Sequence, residues 1–175
     1  NSILYVEGMN IKLNLENCKI KNTNSTTKII IGKGKLKMKV IDSKLRNKPL
    51  LEDMRCIVLD NNDNIVEING SIIDGIIEMD GEKCSIKDSE WNTINEPHLL
   101  INNTMGNAIL STNKIINLSA KKSYDIWVTM PTDLKIVFKF YGNRFLGLNE
   151  DYLLSLNNVK SYLLPQGSTH INGIF

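Results

Sequence analysis

Apolar and polar residues alternate over residues 10 to 20, with Ile11, Leu13 and Leu15 on one side and Lys12, Asn14 and Glu16 on the other. The pattern returns at residues 33 to 40, where Lys33, Lys35, Lys37 and Lys39 oppose Gly34, Leu36, Met38 and Val40. A period of two belongs to a β-strand with one face in the core and one in water. Leu134, Ile136, Phe138 and Phe140 alternate in the same way with Lys135, Val137 and Lys139, and lead into the turn Tyr141-Gly142-Asn143. Between such runs, clusters of Asn, Asp and Gly recur about every ten residues, the rhythm of many short strands.

The turns sharpen this picture. Cys56–Asp60 and Asn64–Ile68 flank Asn61-Asn62-Asp63, which reads as a hairpin whose turn residues tolerate a left-handed backbone. Asn69-Gly70, Asp74-Gly75 and Asp80-Gly81 are three more tight-turn dipeptides. Only one helix is expected, near the C-terminus. Asn149 would cap it, Tyr152, Leu156, Val159 and Leu163 would form its apolar stripe, and Pro165 would stop it.

Three segments share a pattern of apolar, any, Asn or Asp, small, any, apolar: Leu15 to Ile20, Val40 to Leu45 and Ile86 to Trp91. Stacked, they would be rungs of a right-handed parallel β-helix with an Asn ladder. Their spacing wanders between about 19 and 30 residues, and long alternating strands with tight turns favour antiparallel pairing. The expected fold is therefore an all-β antiparallel sandwich with a short C-terminal helix, the parallel β-helix being the alternative. Residues 1–119 would form the sandwich, and residues 120–175 would add strands and the helix to the same core, with a joint near Ser119 to Ser123.

Composition agrees. The 175 residues include 23 Asn and 24 Ile but only two Ala and one Gln, which disfavours a helical protein. The same Asn excess makes the four sequons at Asn24, Asn69, Asn102 and Asn117 uninformative. A net charge of +2 is far from a nucleic-acid footprint. No apolar run approaches the roughly 18 residues of a spanning helix, so neither nucleic acid nor membrane is an expected partner. Cys18, Cys56 and Cys84 contain no CxxC pair and read as reduced, buried thiols, one disulfide plus a free thiol being the alternative. The chain opens at Asn1 without a methionine, which reads as a segment of something longer or a chain whose targeting peptide was removed.

Candidate chemistry is sparse. His98 and His170 have no partner at ligand spacing, and Asp60 with Asp63 lacks the loop a calcium ion needs. Asp88 with Glu90, and Glu150 with Asp151, are near in sequence, which says nothing about facing across a cleft. Gly32-Lys33-Gly34-Lys35 has neither the context nor the ending of a phosphate loop. No catalytic residue, metal ligand or cofactor is therefore expected. Two binding surfaces remain. Lys33, Lys35, Lys37 and Lys39 would line about 13 Å of strand with positive charge suited to a polyanion. Trp91 and Tyr141 could stack on sugar rings, whereas Trp127, between Ile126 and Val128, reads as core.

Residues 28 to 119 also carry a module pattern. It runs from Leu36-Lys37-Met38-Lys39-Val40-Ile41-Asp42 through Asn47-Lys48-Pro49-Leu50 and Cys56-Ile57-Val58-Leu59-Asp60. It continues with Asn64-Ile65-Val66 and Ile73-Asp74-Gly75-Ile76-Ile77-Glu78, and closes with Gly106-Asn107-Ala108-Ile109-Leu110-Ser111-Thr112. This resembles the Ig-like N-terminal domain of phage baseplate upper proteins and bacterial Ig-like adhesin modules. The resemblance implies an Ig-like sandwich and a non-catalytic attachment or assembly role on a virion tail or an extracellular surface. Its partners would be proteins of a larger assembly or a host-surface glycan, and the chain would be an oligomer or part of a longer one. A carbohydrate-active β-solenoid and a polyanion-binding module are the rival functions.

Overall fold

The computed structural model describes residues 1–94, 99–117, 126–129, 137–147, 154–157 and 169–170. Its described elements are strands wound as a parallel β-solenoid. The first coil consists of β1 (Ser2–Glu7), β2 (Ile11–Glu16) and β3 (Lys19–Asn22), and the second of β4 (Lys28–Lys33), β5 (Leu36–Ile41) and β6 (Lys44–Asn47). The third holds β7 (Arg55–Asp60), β8 (Ile65–Asn69) and β9 (Ile72–Asp74). Next come β10 (Ile76–Lys87) with β11 (Glu90–Thr93), then β12 (Leu99–Ser111) with β13 (Lys114–Asn117). The rows continue in β14 (Ile126–Thr129), β15 (Val137–Tyr141), β16 (Arg144–Gly147), β17 (Leu154–Asn157) and β18 (Thr169–His170).

Every strand pair is parallel, and each strand meets its counterpart in the coils before and after it. Three faces result. Face one stacks β1, β4, β7 and the start of β10; face two stacks β2, β5, β8 and the end of β10. Face three is a seven-stranded sheet running from β3 to β18. Both β10 and β12 run through faces one and two, so these join into one eleven-stranded sheet.

The alternation seen in the sequence is real, but it serves a different architecture. Leu13, Met38, Val66, Cys84 and Ala108 stack in one inward column, and Leu15, Val40, Ile68, Ile86 and Leu110 in the next. On face three Ile20, Leu45, Ile73, Trp91 and Ile115 form a third. From the second coil onward these side chains are almost fully buried. A solenoid side and a sandwich strand both need one apolar face, so period-two alternation cannot separate them.

The antiparallel Ig-like sandwich is thus overturned. β7 and β8 do not pair with each other, so the expected hairpin at Asn61-Asn62-Asp63 is a corner between faces. Asn69-Gly70 and Asp74-Gly75 are also corners, and Asp80-Gly81 lies where β10 shifts register against β12. The expected C-terminal helix is contradicted at its centre, because Leu154–Asn157 is a strand paired with β14. The rest of that span, the joint at Ser119 to Ser123, and residues 134 to 136 lie outside the described residues.

The uneven spacing that argued against stacking has a local cause. Residues 19, 44, 72, 90, 114 and 144 stack in one column, so coil length varies from 18 to 30 residues. The corner from face two to face three, however, never changes length. It spans Leu15–Ile20, Val40–Leu45, Ile68–Ile73, Ile86–Trp91 and Leu110–Ile115 in successive coils. Length changes fall at the other two corners: the return corner from face three to face one takes residues 23–27, then 48–54, then Gly75 alone, and the corner from face one to face two takes residues 8–10, then 34–35, then 61–64, and vanishes within β10.

Candidate functional site

The constant corner places one residue of each coil in a left-handed conformation: Asn17, Asp42, Gly70, Asp88, Thr112 and Gly142, with φ between 47° and 64°. Asn, Asp and Gly tolerate this region best, which is why the turn residues recur. The next residue is Cys18, Ser43, Ser71, Ser89, Asn113 or Asn143. From Ser43 onward its side chain bridges coils. The Cys18, Ser43 and Ser71 amides donate to the Oγ of Ser43, Ser71 and Ser89 at 3.0, 3.1 and 3.1 Å. The Ser89 and Asn113 amides donate to the Oδ1 of Asn113 and Asn143 at 3.0 and 3.1 Å. A second ladder lies at the return corner, where Asn22 Nδ2 donates to Asn47 Oδ1 and Asn47 Nδ2 to the Asp74 carbonyl, both at 2.8 Å. Such bonds satisfy backbone groups that turn away from the strand ladders. The corners, as well as the strands, are thus hydrogen-bonded from coil to coil.

The four lysines do not share a strand. Lys33 ends β4, Gly34 and Lys35 form a corner, and only Lys37 and Lys39 project from β5. Two of them are engaged: Lys35 Nζ lies 3.3 Å from Asp63, and Lys39 Nζ 3.2 Å from Glu67, which Lys83 approaches at 3.6 Å. The ion pair with Lys39 holds the Glu67 carboxyl below the usual carboxylate range. Trp91 is fully buried, its Nε1 donating to the Gly75 carbonyl at 2.9 Å, so it cannot meet a sugar ring. Tyr141 is 44% exposed at the end of β15 and remains available.

Asp88 and Glu90 sit on the corner and on face three; Glu90 pairs with Lys114 at 3.3 Å rather than facing Asp88 across a cleft. His98, Glu150 and Asp151 lie outside the described residues. Among the described residues no group of three His, Cys, Asp or Glu side chains could hold a metal ion. The cysteines are free thiols, Cys56 and Cys84 buried and Cys18 half-buried. Burial pushes the Cys84 thiol up to about 12 and the Cys56 thiol up as well, so neither is a nucleophile at neutral pH.

Two surfaces were missed because their residues come together only on stacking. On face one, outward Tyr5, Ile31 and Val58 lie in register across β1, β4 and β7. Tyr5 is 53% exposed and Ile3 beside it 44%, and the Tyr5 hydroxyl donates to Glu7 at 2.7 Å. The first coil's inward residues Leu4, Val6, Ile11, Leu13, Leu15 and Ile20 pack against the core yet stay half-buried. On face three, Lys19 and Lys21 of β3 lie opposite Lys44 and Arg46 of β6, and Lys48 follows. With Ile20 they line a shallow groove of about 270 Å³. Asp74 is the carboxylate there, 3% exposed, with Oδ1 accepting from Asn92 Nδ2 at 3.0 Å and Oδ2 3.8 Å from both Arg46 and Lys48. Compared with family models, curated proteins and solved structures, the chain finds no match in any of the three, so the surfaces themselves carry the functional reading.

Proposed function

We propose that the chain is a non-catalytic structural and attachment module, a stiff β-helical segment that joins a larger assembly on a virion or cell surface through protein contacts. The observation that carries this reading is the apolar strip of Ile3, Tyr5, Ile31 and Val58 on face one. Exposed apolar strips bounded by charge mark protein contacts, and Glu78 next in register to Val58 supplies that boundary. The corner ladders suit a part that transmits force along its axis. Asp53, Asp63, Glu67, Asp74, Glu78 and Glu90 serve ion pairs.

An apolar strip is complementary to itself, so a second copy is the partner to test first. In sedimentation velocity, the wild-type chain should associate with rising concentration, whereas Tyr5→Lys combined with Ile31→Lys should stay monomeric with an unchanged circular-dichroism spectrum. A wild-type chain that is monomeric throughout and shortens an acidic or neutral polysaccharide would overturn the proposal in favour of a solenoid enzyme.

A further inference from the structure

We infer that the groove on face three is a binding site for a linear anionic polysaccharide, held by Lys19, Lys21, Lys44, Arg46 and Lys48. This goes beyond the assembly role, since it uses a different face. Directly opposed like charges destabilise a sheet, yet Lys19 faces Lys44 and Lys21 faces Arg46 across adjacent strands. Several cations elsewhere are offset: Lys39 and Lys83 flank Glu67, Lys35 meets Asp63, and Lys114 meets Glu90. Lys12 opposite Lys37 is a comparable pair, but Glu67 lies on its face and Asp63 at the adjoining corner.

In the groove, five cations share the single carboxylate of Asp74, and Lys19, Lys21 and Lys44 have no ion-pair partner among the described residues. That is an excess of four positive charges in a chain whose total is +2. The patch is therefore a local concentration rather than a reflection of general basicity. Asp74 is buried on the neighbouring strand β9, where it lies 3.8 Å from Arg46 and Lys48 and forms no ion pair with the other three.

The dimensions select the ligand. Neighbours along a strand lie about 6.7 Å apart and those on adjacent strands about 4.8 Å apart, so the cations form a grid on the scale of a sugar ring. The lysine stems give the groove apolar walls on which the faces of such rings can lie, while the heads meet sulfate or carboxylate groups. The small net charge offers little long-range attraction to the denser charge of duplex nucleic acid.

The test is binding of the full chain to dextran sulfate and to polygalacturonate, which separate sulfate from carboxylate recognition, with duplex DNA as a third arm. Binding to at least one polysaccharide at physiological salt is expected, roughly tenfold weaker for Lys21→Glu combined with Lys44→Glu. These side chains are exposed, so the melting temperature should hold. Lys12→Glu combined with Lys37→Glu makes the same charge change on face two and should keep wild-type affinity. The proposal fails if neither polysaccharide binds at physiological salt, if both double variants lose affinity equally, or if DNA binds as tightly as the better polysaccharide.

Discussion

The Ser71 hydroxyl accepts a hydrogen bond from the Ser43 amide at 3.1 Å and donates its own proton to the Asn69 carbonyl at 2.8 Å. One small side chain thus closes its own corner and ties it to the corner of the preceding coil. Ser43 and Ser89 repeat the closure at 2.7 and 2.6 Å to the Ile41 and Lys87 carbonyls. In the first coil the Cys18 thiol takes the same place, 3.3 Å from the Glu16 carbonyl.

Ser71→Ala should therefore cost more than a lone surface hydroxyl, because it leaves the buried Ser43 amide without an acceptor. The expected loss is about 1–3 kcal/mol in urea denaturation with an unchanged slope. A loss under about 0.5 kcal/mol would mean that water or a shifted corner replaces the hydroxyl, and that the ladder does not stiffen the shaft.

The strands and their faces were legible in the sequence; their direction was not. Ile11, Leu13 and Leu15, like Leu36, Met38 and Val40, point inward as their alternation requires. The information that separates a coil from a hairpin lay in the corner. It was visible at Leu15–Ile20, Val40–Leu45 and Ile86–Trp91, but the intervening rung Ile68–Ile73 was hidden because Asn69-Gly70 also spells a hairpin turn. Gly70 uses there the left-handed conformation that Asn17 and Asp42 use in their coils. Length changes at the other two corners then made the repeat look irregular. The basic groove was illegible for a related reason: Lys19 and Lys44 are 25 positions apart and meet only through the register of β3 and β6.

Trp91 fills the core where sequence alone allowed it a place on the surface. Trp91→Ala should cost about 3–5 kcal/mol through the cavity it leaves. Trp91→Phe should cost less, the remaining loss reflecting smaller volume and an unpaired Gly75 carbonyl. Neither change should weaken polysaccharide binding in protein that remains folded. Chemical denaturation and the binding assay together check both parts.

The buried thiols make a pH prediction with a definite sign. In the unfolded chain Cys84 loses its proton near the ordinary value of 9.0, whereas in the fold it holds it to about 12. Over that interval the unfolded state binds fewer protons, so stability is unaffected below about pH 9 and falls as pH rises towards 12. The burial of Cys56 acts in the same direction. The alkaline decline in melting temperature should be shallower in Cys84→Ala than in wild type. At neutral pH a disulfide reagent should modify the half-buried Cys18 and leave Cys56 and Cys84 until denaturant is added.

Two glycines at corners should respond oppositely to substitution. Gly75 alone connects β9 to β10, at φ 116°, and an added Cβ would stand 2.5 Å from the Met54 carbonyl oxygen and 2.9 Å from Asn47 Nδ2. Backbone cannot yield as a side-chain tip does, and Asn47 belongs to the return-corner ladder, so Gly75→Ala combines left-handed strain with a displaced ladder. A loss above about 2 kcal/mol is expected. Gly70 has φ 58°, close to the 52° of Asn17 in the same column, and its added Cβ would meet the exposed, rotatable carboxylate of Asp42. Gly70→Asn should therefore stay within about 1 kcal/mol of wild type, since the residue is already used at this corner and narrows the unfolded ensemble. Equal losses at both positions would show that the two corners are held by packing alone and that the left-handed column does not set the register of the coils.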